Sequence, residues 1–161
     1  MEITLASKED LPKILEIYAY AREQMRKNGN PNQWGNNRPP LPAIIEDIEK
    51  SRMYLITSDG FICGVFVFYI GDDPTYQVIK DGGWLNDLPY GVIHKVASND
   101  RANGILAAAL SFAEPQINNL KMDTHRDNVI MQRLLERNGF VRCGIIYTDD
   151  GTERIAYQRI Q

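Results

Sequence analysis

The longest apolar run in this 161-residue chain is "FICGVFVFYI", residues 61 to 70. Ten residues make a strand, whereas a helix that crosses a bilayer needs roughly 20 apolar residues. The run follows "RMYLIT" and the turn signal Ser58-Asp59-Gly60, so the two segments read as a β-hairpin. No membrane span or membrane partner is expected. The other segments have to complete a sheet around this hairpin.

"EITLA" reads as a first strand. Ser7-x-x-Asp10 is a capping-box-like helix start, and Leu11, Ile14, Leu15, Tyr18, Ala21 and Met25 then recur at helical spacing until Asn28-Gly29. "NPNQWGNNRPPLP" is loop, and residues 43–50 make a short second helix. After the hairpin, the long loop "GDDPTYQVIKDGGWLNDLP" leads into the strand "YGVIHKVAS". A turn and a helix over 103–114 follow, stopped by Glu114-Pro115 because the proline ring disfavours helical geometry before it. "LKMDT" is a strand. Residues 128–137 are a helix with Met131, Leu134 and Leu135 on its apolar face and Asn138-Gly139 as its C-terminal cap. "FVRCGIIYT" and "RIAYQRI" bracket Asp149-Asp150-Gly151-Thr152 as a closing hairpin. The order βααβββαβαββ, without repeat or linker, predicts a single α/β domain over 1–161 on a mixed sheet.

Charge and cysteine content narrow the function classes. Eighteen basic against 21 acidic residues give a net charge of −3, which speaks against a nucleic-acid partner. Cys63 and Cys143 lie in apolar strand-like runs and read as buried free thiols of a reducing compartment. "MEITLASKED" lacks the basic start and apolar stretch of a signal peptide, so the expected location is cytoplasmic. His94, His125 and Asp123 have poor metal-ligand spacing and no cysteine cluster beside them, so no metal is expected. Neither a Gly-x-Ser-x-Gly nucleophile turn nor a P-loop is present.

"VASNDRANGILAAAL", residues 96–110, places Arg101-x-x-Gly104 where a helix begins. Two readings stand. The first helical N–H groups have no internal partner and, with the positive end of the helix dipole, can hold an anion that Gly104 lets approach. Alternatively, glycine and asparagine simply make the loop.

The element order, with this turn between the fourth strand and the third helix, resembles the GNAT superfamily of acetyl-CoA-dependent N-acetyltransferases. The family's Gln/Arg-x-x-Gly-x-Gly/Ala turn is matched by Arg101-Ala102-Asn103-Gly104-Ile105-Leu106. "DTHRDNVIMQRLLERNGF" is similar to the family's fifth strand and fourth helix, with Asn128 opening the helix and Gly139-Phe140 after it. The resemblance runs from Ile3 to Tyr157. It implies a GNAT-like α/β fold with a mostly antiparallel sheet, and coenzyme A held at its pyrophosphate by the turn. It also implies pantetheine along Val96 and Ala97, with Asn128 near its end; capping the helix is an equal role for Asn128.

Two positions depart from the pattern. Leu106 replaces the turn's final Gly/Ala, so its side chain must point away from the phosphates. Leu135 replaces the tyrosine that many members use as general acid for the departing thiol.

Acetyl transfer needs a neutral amine, and an alkylammonium of pKa ~10 costs roughly 4 kcal/mol to neutralise near pH 7. A thiol of pKa ~8.5 leaving as thiolate costs only about 2 kcal/mol, so the lost tyrosine is the smaller aid, and Tyr147 is one substitute. His94 and His125 are the candidate bases; each could equally be structural. Alternation along the fourth strand puts His94 on one face with Val92 and Val96. The acceptor side draws on the two long loops, with Gln33, Trp34, Tyr76 and Trp84 beside Asp72 and Asp73. The aromatics could hold a cationic amine or merely pin the loops to the core. The expected activity is transfer of acetyl from acetyl-CoA to a primary amine, on a small molecule or a protein, by direct attack in a ternary complex. The alternative is a non-catalytic acyl-CoA-binding or sensing domain. A homodimer is consistent with the resemblance.

Overall fold

The computed structural model describes all 161 residues. Its strands are β1 (Glu2–Leu5), β2 (Met53–Ser58), β3 (Phe61–Ile70), β4 (Gly91–Ser98), β5 (Asn119–Thr124), β6 (Val141–Tyr147) and β7 (Glu153–Ile160). The helices are α1 (Leu11–Lys27), α2 (Leu41–Glu49), α3 (Ile105–Ala113) and α4 (Val129–Arg137). The predicted order therefore holds along the chain. A short 3-10 turn at Lys8–Asp10 precedes α1, where the Asp10 carboxylate accepts from the Ser7 N–H at 2.8 Å. A second 3-10 turn, Pro74–Tyr76, lies inside the second long loop.

All strands form one sheet in the order β1-β2-β3-β4-β5-β7-β6. Every pairing is antiparallel except β4 with β5, which is parallel and limited to Gly91↔Leu120 and Val92↔Lys121. Beyond Val92 the two strands no longer pair, so two antiparallel ladders meet at a seam that opens toward the C-terminal ends of β4 and β5.

The opening is helped by a bulge. Val65 pairs with Ala97 but Val67 pairs with His94, so two β4 residues face one β3 residue, and Lys95 has φ 55°. Such a backbone costs a side-chain-bearing residue roughly 1–3 kcal/mol, and neighbours hold it in place. The Tyr18 hydroxyl donates to the Lys95 carbonyl at 2.8 Å, and Lys95 Nζ reaches Asp47 Oδ2 at 2.8 Å. The bulge corrects the simple alternation expected for β4. His94 shares a face with Val92 and Ala97, while Val96 turns to the other face with Ile93, because one extra residue reverses the alternation.

The two faces carry separate cores. Ile105, Leu106, Ala109, Leu110 and Ala113 of α3 and Leu135 of α4 pack with Phe66, Phe68, Leu120 and Tyr157 on one face. Ile14, Ile17 and Tyr18 of α1 and Ile44 and Ile48 of α2 pack on Met53, Leu55, Val65 and Val67 on the other. Each such large side chain stabilises the fold by about 1.5–3 kcal/mol on burial.

No helix covers the β5-β7-β6 end on the α1/α2 side; loop 71–89 does, burying Tyr76 against Tyr90, Val92, Ile146 and Ala156. The loop also pairs Lys80 with Ile145 on the edge strand β6, each N–H donating to the other carbonyl at 2.8 Å. Gly82 permits this docking, since a Cβ there would stand 2.0 Å from the Cys143 carbonyl oxygen. No helix is long and apolar enough to cross a membrane.

Candidate active site

Two cavities flank the open seam, of about 330 and 340 Å³, and both are lined by Met25, Val96, Asn128 and Met131. They are two halves of one cleft.

The first half lies under the 101–106 turn. Gly104, at φ 80°, bends the chain into α3, a conformation that favours glycine. No N–H from Ala102 through Ala107 has an acceptor within the chain; the first bond of the helix is Ala108 N–H to the Gly104 carbonyl at 2.9 Å. Six consecutive donors at a helix N-terminus are the arrangement that binds anions. Leu106 is buried in the α3 core, so its side chain points away while its N–H stays with the others. Val96, Ala97, Ala102, Asn103, Gly104, Ile105 and Asn128 also line this half, as does the buried Asn30, whose Oδ1 has no partner. A phosphate-bearing ligand with amides along its arm fits this donor set.

Arg101 stands apart from it. Its guanidinium lies over the Phe61 ring, 4.9 Å from the centroid, and its N–H donates to Asn99 Oδ1 at 3.1 Å. Arg101, although it opens the matched turn, therefore does not line this half of the cleft.

The second half is built from ionisable side chains. His94 Nε2 is 2.6 Å from Asp73 Oδ2, and His94 Nδ1 is 3.6 Å from Asp123 Oδ2. Burial would push the Asp73 carboxyl up, but bonds from His94 and from the hydroxyl and N–H of Thr75 outweigh it and hold the group well below the usual carboxylate range. An ionised Asp73 only accepts, so Nε2 is the donor of this bond, and in the neutral ring Nδ1 is then the acceptor nitrogen. Nδ1 is too far from Asp123 for a hydrogen bond, and His94 lines the cavity. Two tyrosines brace the carboxylates. Tyr69 donates to Asp73 at 2.9 Å and Tyr76 donates to Asp123 at 2.6 Å, and burial first, then those carboxylates, push both phenols up.

Gln33 and Trp34 line this half. Gln33 Oε1 accepts from Asn30 at 3.0 Å and from Asn128 at 2.9 Å, tying the α1–α2 loop to the start of α4. Asn128 also caps α4, its Oδ1 accepting from the Met131 N–H at 3.0 Å, so it fills the capping role and borders both cavities.

Three other candidates lie outside the cleft. Trp84 donates to the Tyr76 carbonyl at 2.9 Å and stacks over Lys121, pinning the second loop rather than lining it. Tyr76 is buried behind His94, ring centroids 5.6 Å apart, and reaches the site only through its hydroxyl on Asp123. His125 lines neither cavity. Its Nδ1 accepts from the Asp127 N–H at 3.0 Å, and burial, aided by Arg154, lowers its pKa.

Leu135 is fully buried in the core, and Tyr147 packs under Lys80 Nζ at 5.3 Å, so neither places a hydroxyl at the seam. Arg154 is the residue that only the fold reveals here, whereas Asp73 and Asp123, named in the sequence as a loop carboxylate and as a rejected metal ligand, become partners of His94. Asp73 carried one local signal, an Asp-Pro-Thr sequence that caps the 3-10 turn, with its Oδ1 accepting from Thr75.

No family model and no curated protein matches the sequence. The fold does have close counterparts among solved structures. A GNAT-family acetyltransferase of Streptococcus agalactiae 2603 superposes with a TM-score of 0.88 at 28% identity, over 99% of this chain and 95% of that one. A GNAT-family acetyltransferase of Listeria monocytogenes 4b F2365 gives 0.70 at 18% identity, over 99% and 94%. A ribosomal-protein-alanine N-acetyltransferase of Brucella melitensis gives 0.65 at 18% identity, over all of both chains. The last two speak for the fold. The first matches nearly the whole of both chains at 28% identity and carries the likeness beyond the fold alone. The chain has the fold of the GNAT-family acetyltransferases and is similar to them over its whole length.

Proposed function

We propose that this chain, acting as one catalytic domain, is an N-acetyltransferase that moves acetyl from acetyl-CoA to a primary amine by direct attack in a ternary complex. The observation that carries this reading is the pair of cavities joined at the β4/β5 seam, one lined by free backbone donors and the other by His94, Asp73 and Asp123. Acetyl-CoA supplies the activated acyl group. The N–H groups of residues 102–107 bind its pyrophosphate; charge-assisted bonds of about 1.5–3 kcal/mol each make micromolar affinity attainable after ordering costs. The bulged backbone at Val96 and Ala97 runs beside the pantetheine arm, and Val96 marks where the two halves meet.

The acceptor amine enters the other half. His94 Nδ1, kept as the acceptor tautomer by Asp73, takes the amine proton directly or through one water, with Asp123 as the adjacent carboxylate. The C–N bond forms as the C–S bond breaks. The sulfur leaves as thiolate, consistent with the leucine at 135.

Calorimetric titration with acetyl-CoA, followed by thiol release over a broad amine panel, tests the reading. Micromolar binding and turnover are expected. Binding without transfer to any amine would turn the assignment toward an acyl-CoA sensor, and no binding up to millimolar would remove it.

A further inference from the structure

Arg154 projects from the start of β7 into the amine-side cavity and is 5% exposed. Its guanidinium donates only to neutral oxygens: Thr152 Oγ1 at 3.2 Å, the Glu153 carbonyl at 2.9 Å and the Gln33 carbonyl at 2.9 Å. The charges that face it are Asp123, Asp150 and Arg38, none within ion-pair distance. The neighbouring carboxylates are already engaged. Asp47 pairs with Arg52 and Lys95, Asp73 with His94, and Asp149 and Asp150 with Arg38. Arg154 is the one cation in this lining left without an anion. A buried charge in that state is costly unless a ligand compensates it.

The register adds the other half of the pattern. Asp123 pairs with Ala156, so Arg154, two residues earlier on β7, lies on the same face at the diagonal position, with backbones roughly 7–8 Å apart. Asp123 Oδ2 accepts from Tyr76, while Oδ1 has no partner in the chain. A carboxylate edge beside His94 and an uncompensated guanidinium thus line one cavity, spaced for a short molecule carrying both an ammonium and an anion.

Building on the acetyltransferase reading above, we infer that the acceptor is a small amino acid, its carboxylate held by Arg154 and its amine delivered to Asp123 and His94. A planar guanidinium matches a carboxylate with paired donors, which a polyamine or an internal peptide lysine cannot use.

The test uses matched acceptors: free amino acids, their α-amides and the corresponding decarboxylated amines. With acetyl-CoA as donor, the best acid should exceed its amide at least tenfold in kcat/KM, and Arg154→Gln should bring that ratio close to one through a higher KM for the acid. The same pairs titrated into CoA-saturated wild-type protein give a readout independent of turnover, in which the acid should bind at least tenfold tighter than the amide. Amides or plain amines equal to or better than the acids, in turnover or in binding, would overturn the inference, as would an acid preference that survives Arg154→Gln. Because the wild-type ratio needs no variant, poor folding of Arg154→Gln would not shelter it. Acetyl-CoA titration separates the two levels: normal acetyl-CoA binding without acid preference removes Arg154 alone, whereas absent acetyl-CoA binding removes the acetyltransferase reading.

Discussion

The half of the cleft under the 101–106 turn works with backbone, and the half around His94 works with buried side-chain charge. In the first, six N–H groups have no acceptor in the chain, their residues line a cavity, and the side chains of Ile105 and Leu106 join the core. In the second, Asp73, His94, Asp123 and Arg154 come from a loop and three different strands, and each depends on a neighbour for its orientation. A backbone site tolerates changes of side chain, which is why leucine at 106 leaves the donors in place. A side-chain site does not: loss of one partner leaves another buried and unpaired.

Four measurements would break or sharpen that contrast. The largest effect is expected in the side-chain half. His94→Ala should lower kcat by about 10²–10⁴-fold at neutral pH, the usual contribution of a positioned base, with acetyl-CoA affinity unchanged by calorimetry. A comparable loss of acetyl-CoA affinity would show that the halves are not separable.

The backbone half is probed next, by trimming the ligand rather than the protein. Acetyl-CoA should bind at least about 100-fold more tightly than acetylpantetheine, since several charge-assisted bonds are removed together. Equal affinities would mean that the free N–H groups do not hold the pyrophosphate.

Asp73 tests the buried charge through pH. Its folded-state pKa is depressed, so its stabilising contribution is fully present above the ordinary carboxylate value of about 3.9 and is lost as pH falls toward the folded value. Thermal melts of Asp73→Asn should therefore trail wild type at pH 7 and converge with it below about pH 4. A constant gap across that range would mean that Asp73 acts by packing alone.

The smallest effect belongs to Arg101. With its guanidinium on Phe61, Arg101→Ala should cost about 0.5–1 kcal/mol of stability and change acetyl-CoA affinity less than twofold. A tenfold loss of affinity would return the side chain to the anion site.

Elements and turns were legible along the chain because their signals are local. Helical spacing from Leu11 to Met25, the Asp59-Gly60 hairpin turn and the Asn138-Gly139 cap each lie within a few residues of the structure they form. The glycine-bent start of α3 was legible for the same reason: Gly104 and the first residues of the helix are neighbours in sequence. His94 could be named as a candidate, but nothing local separated it from His125. What separates them is a carboxylate 21 residues away on a loop and another 29 residues away on β5.

The bulge at Lys95 was equally hidden, since Tyr18 and Asp47 hold it from two helices on the far side of a loop. Arg154 lies at the start of β7 just after the Asp149–Thr152 turn, where nothing local marks it as buried, and the Gln33 carbonyl of the α1–α2 loop lies against it in the fold. Sequence by itself determined the order of elements, the family resemblance and the glycine-bent turn that opens α3, because short-range geometry specifies them. Tertiary structure decided which ionisable side chains meet and which are left uncompensated, because burial and charge pairing arise only when segments distant in the chain are brought together.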